Sequence, residues 1–188
     1  MSMLSSRVVP CSEDSPGLSG AGFAEAFSNY PMGAALVSAD SIDGPIALIT
    51  SRVMPISTEP PIFAVVVERG SDDDDLIAAS ESIVLQLLTA DQLDLAILPS
   101  TDQGKAREWA RLSTGEAFVI GPSAWVRGQV IERIEIGDST IVTARATHAC
   151  YPPVGMTRDA AWPGPLVRHR NHWHELNGAS HVTASVQA

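Results

Sequence analysis

Cysteine, aromatic and charged residues are all scarce in this chain, and each scarcity removes a class of protein. Two cysteines in 188 residues, Cys11 and Cys150, are too few for a thiolate metal centre or a disulfide framework. Only 18% of residues are charged, and acids outnumber bases by 22 to 12, for a formal charge of −10. Such a surface repels phosphate backbones and anionic lipid, so neither nucleic acid nor a membrane is an expected partner. No apolar run reaches the roughly 18 residues that cross a bilayer. Residues 1–20 lack the basic start and apolar centre of a secretory leader, which makes the cytoplasm the expected location. G-x-S-x-G, P-loop and G-x-G-x-x-G signatures are missing as well.

What the chain does have is apolar sequence in short blocks. Apolar residues make up 45%, enough for one globular domain of residues 21–176 between polar tails at 1–20 and 177–188. Phe23, Ala26 and Phe27 share a helical face in residues 22–29. Residues 33–39 and 45–50 read as strands joined at Asp43-Gly44, a hairpin signal. Residues 61–68, 83–88, 124–134, 140–148 and 165–170 read as further strands, with Gly137-Asp138 as another turn. Ser71 and the four aspartates after it suit the first turn of a helix over 71–79. Residues 91–98 and 105–111 also read as helical, and a Pro/Gly-rich loop spans 151–164. The expected fold is mostly β with small helices, as a closed antiparallel barrel that leaves no apolar strand edge exposed.

The segment IALITSRVMPISTEPPIFAVVV, residues 46–67, is two apolar strands joined by a hydroxyl-rich elbow. With it stand FAEAFSNYPMGAALVSAD, DLIAASESIVLQLLTADQLDLA, ERIEIGDSTIVTARA and PLVRHRNHWHEL, in that order along the chain. Together these resemble the flavin reductase-like family, the FMN-binding split barrels, over residues 23–176. The elbow resembles the family's S-S-x-x-S-V-S-x-D-P-P, and the last segment its P-L-x-Y-H-x-G-x-Y. The resemblance implies an FMN-binding flavoprotein that uses NAD(P)H as co-substrate, passes hydride to flavin N5, and forms a homodimer. Two other readings stay open at this level. One is a divergent split barrel without tight FMN binding that acts as a non-enzymatic binding protein; the other is a barrel taking a deazaflavin-type cofactor.

A flavin needs donors at its ring edge, a cradle for its phosphate and an open face for hydride. By the resemblance, Thr50, Ser51, Arg52, Ile56 and Ser57 form the ring- and phosphate-binding elbow, with Arg52 in place of a serine. Ile49 replaces a threonine, and Pro55 has no N–H to offer. Ser71 is the expected phosphate ligand, and Asp73 stands where the family has threonine. A carboxylate about 4 Å from a phosphate opposes it by roughly 1 to 4 kcal/mol per unit charge, unless it faces water as a helix-capping residue. Gln86 takes the place of a strand asparagine, Trp173 that of a tyrosine, and His169 is the expected catalytic residue beside the nicotinamide. His172 and His174 would share one face of a continuous strand with His169 on the other, so no metal site is expected.

Overall fold

The computed structural model describes residues 18–98, 108–151 and 163–177; residues 1–17 and 178–188 of the expected tails, and residues 152–162 of the expected loop, lie outside these. The Ser19 hydroxyl accepts from the Gly22 N–H at 3.1 Å and starts helix α1 (Gly20–Ser28). Strands β1 (Met32–Gly33), β2 (Ala35–Ser41) and β3 (Gly44–Thr50) follow. Gly44, at φ 124°, makes the expected turn between β2 and β3, a conformation that glycine adopts without strain. Ser51-Arg52 links β3 to β4 (Val53–Thr58), and β5 (Pro61–Glu68) returns beside β4. Then come α2 (Asp72–Ala79), β6 (Ser82–Leu87), a single turn at Ala90–Gln92 and the short α3 (Leu93–Ala96).

The remainder is β7 (Trp109–Arg111), β8 (Ala117–Val119), β9 (Ala124–Ile136), β10 (Ser139–Cys150), β11 (Leu166–His169) and β12 (His172–Glu175). Two expectations fail here. Trp109–Arg111 is a strand paired with Ala117–Val119, not the end of a helix; residues 105–107 of that expected helix lie outside the described residues. The last expected strand is a hairpin, turned at Arg170 (φ 47°) and Asn171 (φ 62°) so that His169 pairs with His172. Positive φ at both turn residues matches the tight hairpin geometry that suits strand twist.

Seven strands form one antiparallel sheet in the order β3-β2-β6-β9-β10-β5-β4. Its inward residues meet in a single cluster that includes Val37, Leu48, Val65, Leu85 and Val142, with Ile77 of α2 packed among them. Residues from both ends of the sheet share this core, so the sheet curls around it. The two edges are also held together by the chain itself. Ser51-Arg52 spans from Thr50 on one edge to Val53 on the other, a reach of at most about 11 Å. The pairing does not, however, join β3 to β4. The closed barrel expected from sequence is, in its described hydrogen bonds, a curled sheet with one unpaired seam.

The residues outside that core also pack. Leu36, Ala47, Leu88, Leu95 and Leu166 form a second buried cluster, against which Trp173 lies half-buried. Glu116 is buried beside β6 and β9, where its carboxylate accepts from Arg127 Nε and Ser82 Oγ, each at 2.8 Å, and from Thr114 Oγ1. Burial alone would raise its pKa. The Arg127 guanidinium, then the Thr114 and Ser82 hydroxyls and its own backbone N–H, outweigh burial and bring it down to about 2. Among the described residues no helix is long and apolar enough to cross a membrane.

Candidate functional site

At the Ser51-Arg52 end of the unpaired seam lies a groove of about 450 Å³, within the range of small-molecule sites, roughly 300 to 1,000 Å³. Its floor is apolar: Leu48 and Ile49 from β3, Val66 from β5, Ala96 from α3 and the Trp173 ring. Strand alternation explains the β5 contribution. Val65 and Val67 point into the core, so Val66 and Glu68 point out into the groove.

The elbow forms one rim. Thr50 Oγ1 accepts from the Arg52 N–H at 3.0 Å, a local hydroxyl turn, and the Arg52 carbonyl accepts from Val66 N–H at 2.9 Å. Together these bonds hold Thr50, Ser51 and Arg52 at the groove. The Arg52 guanidinium is paired with Glu68. Arg69, on the same rim, is paired with Glu135 at 2.8 Å.

Helix α2 closes one end. Ser71 is its N-cap, and the hydroxyl accepts from the Asp74 N–H at 3.3 Å. Of the α2 carboxylates, Asp74 lines the groove; Asp73, which stands in place of a threonine, does not. Asp74 folds back over Gly70, where an added Cβ would sit 3.6 Å from Asp74 Oδ2. Ser71 lies between two lining residues, Gly70 and Asp74, without lining the groove itself.

The other end is the β11–β12 hairpin. Arg168 and Trp173 are cross-strand partners on the groove side, with the guanidinium carbon 5.9 Å from the indole centroid. Arg168 also donates to Asn171 Oδ1 at 3.0 Å. The hairpin overturns the single-strand placement of the histidines. Pairing and alternation put His169, His172 and His174 together on the face away from Arg168, with the His169 and His174 rings 6.0 Å apart. His169 therefore does not line the groove. No metal-binding cluster occurs among the described residues.

Three more expected site residues lie elsewhere. Gln86 is buried; its amide donates to the Val119 carbonyl at 2.8 Å and to Ser123 Oγ at 3.1 Å, and its oxygen accepts from Val119 N–H at 2.8 Å. With those bonds made inside the core, Gln86 secures the 119–123 segment and offers nothing to a ligand. Ile56 is displaced at a register shift between Pro55 and Ser57. Ser57 pairs with Ile62, about 13 Å of strand beyond Val53. Arg168 also lines the groove, although nothing in its sequence context marks it. Its place opposite Trp173 is visible only once Arg170-Asn171 is known to be a turn.

A groove with an apolar floor, an indole wall and guanidinium groups on its rim suits a flat aromatic ligand that carries an anionic substituent. The Flavin reductase like domain matches residues 27–177. An NADH:FMN oxidoreductase of Rhodococcus qingshengii is 33% identical over 172 residues, covering 89% of this chain and 88% of the relative. The flavin reductase domain protein from Arthrobacter sp. FB24 superposes with a TM-score of 0.74 at 17% identity, over 88% of this chain and 99% of that one. A Streptomyces globisporus NADH:FAD oxidoreductase, solved with NAD and FAD fragments, gives a TM-score of 0.72 at 17% identity, over 86% of this chain and 94% of that one.

Proposed function

We propose that this chain, which belongs to the flavin reductase-like domain family, is an NAD(P)H-dependent flavin reductase acting on FMN at the seam groove. The observation that carries this reading is the groove itself: an aromatic-sized apolar floor bordered by three guanidinium groups, built from the elbow on which the family resemblance centres. A flavin bound there supplies an N5 that accepts hydride from nicotinamide C4.

The chain's own residues perform the rest. Ile49, Val66 and Trp173 exclude water from one face of the ring. The Ser51 and Thr50 hydroxyls and the elbow backbone present polar groups to the ring edge, where negative charge builds on reduction. Arg52, paired with Glu68, borders that rim, and Ser71 holds the start of α2 in place. Gln86 and His169 are not part of this assignment, because one is consumed in the core and the other faces away.

The same reading takes the curled sheet as a split barrel whose seam is the binding site, in a cytoplasmic homodimer. Exposed apolar residues support self-association: Phe23 and Phe27 on α1, Met54 and Ile56 on edge strand β4, and Ile131, Ile134 and Ile136 on β9. Light scattering should give twice the chain mass of 19.9 kDa. The activity is tested by following NADH and NADPH consumption with FMN, FAD or riboflavin as acceptor, alongside flavin titration of the purified protein. Flavin-dependent consumption is the expected result. No consumption above buffer, together with no flavin binding, would overturn the reading.

A further inference from the structure

The three guanidinium groups of the groove are not equivalent. Arg52 is neutralised by Glu68 and Arg69 by Glu135, while Arg168 forms no ion pair among the described residues. The carboxylates are just as unevenly placed: Glu68 and Asp74 both lie towards the β5–α2 end. The groove is therefore polarised, with negative charge at the helix end and an uncompensated cation at the hairpin end. Coulomb energy across such a site steers an anionic group away from Asp74 and towards Arg168.

Arg168 is also preorganised. Its stem is fixed by strand pairing opposite Trp173, its guanidinium lies over the indole, and one nitrogen is tied to Asn171 across the tight turn. A guanidinium has five N–H donors, and the Asn171 bond leaves most of them free. A planar fork held in one place suits the oxygens of a phosphate, which accept two parallel bonds from it. The residue also departs from the family pattern, standing where P-L-x-Y-H has tyrosine.

Building on the flavin reductase reading, we infer that Arg168, braced by Trp173 and Asn171, is the phosphate-binding residue of the groove. A ligand's phosphoryl group is then anchored at the hairpin end, not at the start of α2 where Ser71 suggested it. The phosphate belongs either to the flavin mononucleotide or to the nicotinamide dinucleotide, and the test separates the two.

Wild type and R168Q are titrated with FMN and with riboflavin, which differ only by the phosphate, using quenching of flavin fluorescence. KM values for NADH and NADPH are measured in parallel. If the flavin's phosphate is the ligand, R168Q weakens FMN by roughly tenfold or more and leaves riboflavin within about twofold. If the dinucleotide's phosphate is the ligand, both flavins bind as before and KM for NADH or NADPH rises by a similar factor. Equal weakening of FMN and riboflavin would show that Arg168 only supports Trp173, and would overturn the proposal. No change in either flavin or in KM would overturn it too. Circular dichroism checks that R168Q is folded. If it is not, R168K replaces it, keeping the stem and charge but not the fork. R168K is then expected to show a smaller loss confined to the phosphorylated ligand, and a loss shared by riboflavin would sink the idea. Wild-type protein that binds no flavin overturns the function reading as well, whereas failure of the variants to discriminate overturns the Arg168 assignment alone.

Discussion

Replacing Glu116 with glutamine removes one charge from a carboxylate held by three side chains, and the cost can be worked from its surroundings. Its pKa is 4.5 in an unperturbed chain and about 2 in the fold, where Arg127, Thr114 and Ser82 surround it. At about 1.36 kcal/mol per pH unit, that difference is worth about 3 kcal/mol of folding free energy. The folded value is the lower one, so the stabilisation is fully present above about pH 4.5 and is lost as pH falls from there through about 2. Glu116→Gln should therefore lower stability by about 3 kcal/mol at neutral pH. In a chain of this size that is roughly a 6 to 12 °C fall in Tm. Urea denaturation of both proteins at a series of pH values is the assay. The gap between them should narrow steadily below about pH 4.5. A difference that stays constant down to about pH 3, or one under about 0.5 kcal/mol at neutral pH, would refute the reasoning.

Two further outcomes are expected. Glu68→Gln removes a carboxylate from the groove and releases Arg52, so FMN should bind about three- to tenfold more tightly while riboflavin is unchanged. A titration showing the same change for both ligands would mean that Glu68 does not act through charge. Gly128→Ala should destabilise the fold by about 1 to 3 kcal/mol, because a Cβ there would lie 2.5 Å from the Phe63 ring and 2.8 Å from Ala144 Cβ. Thermal melts check this, and an unchanged Tm would show that Phe63 can move aside.

Local rules carried much of the fold. Asp43-Gly44 and Gly137-Asp138 announced their turns because glycine supplies the positive φ there, and residues 61–68 announced β5 by the unbroken apolar run Ile62–Val67. Ser71 with the aspartates announced α2 by capping chemistry. The errors share one cause, dependence on a distant partner. Trp109–Arg111 has no strand pattern of its own and is extended because Ala117–Val119 pairs with it. Arg170-Asn171 lacks the glycine that marks a tight turn, so the hairpin went unseen and His169 was assigned to the wrong face. A glutamine on an apolar strand reads equally as a ligand or as a core hydrogen-bonder, and only Val119 and Ser123 decide for Gln86. Thr50, Ser51 and Arg52 were legible as a group because they are adjacent in sequence. Arg168 comes from more than a hundred residues further along the chain and was not.

The two-residue bridge at Ser51-Arg52 has a mechanical consequence. Only those two residues tie the outer strands of the sheet to each other along the chain, while the stretch beyond them relies on whatever fills the gap. A guest touching the elbow, β5 and the hairpin at once acts as a clasp across that gap. Its binding energy then returns as resistance to unfolding, and the filled protein should exchange the amide hydrogens of β3 and β4 more slowly than the empty one.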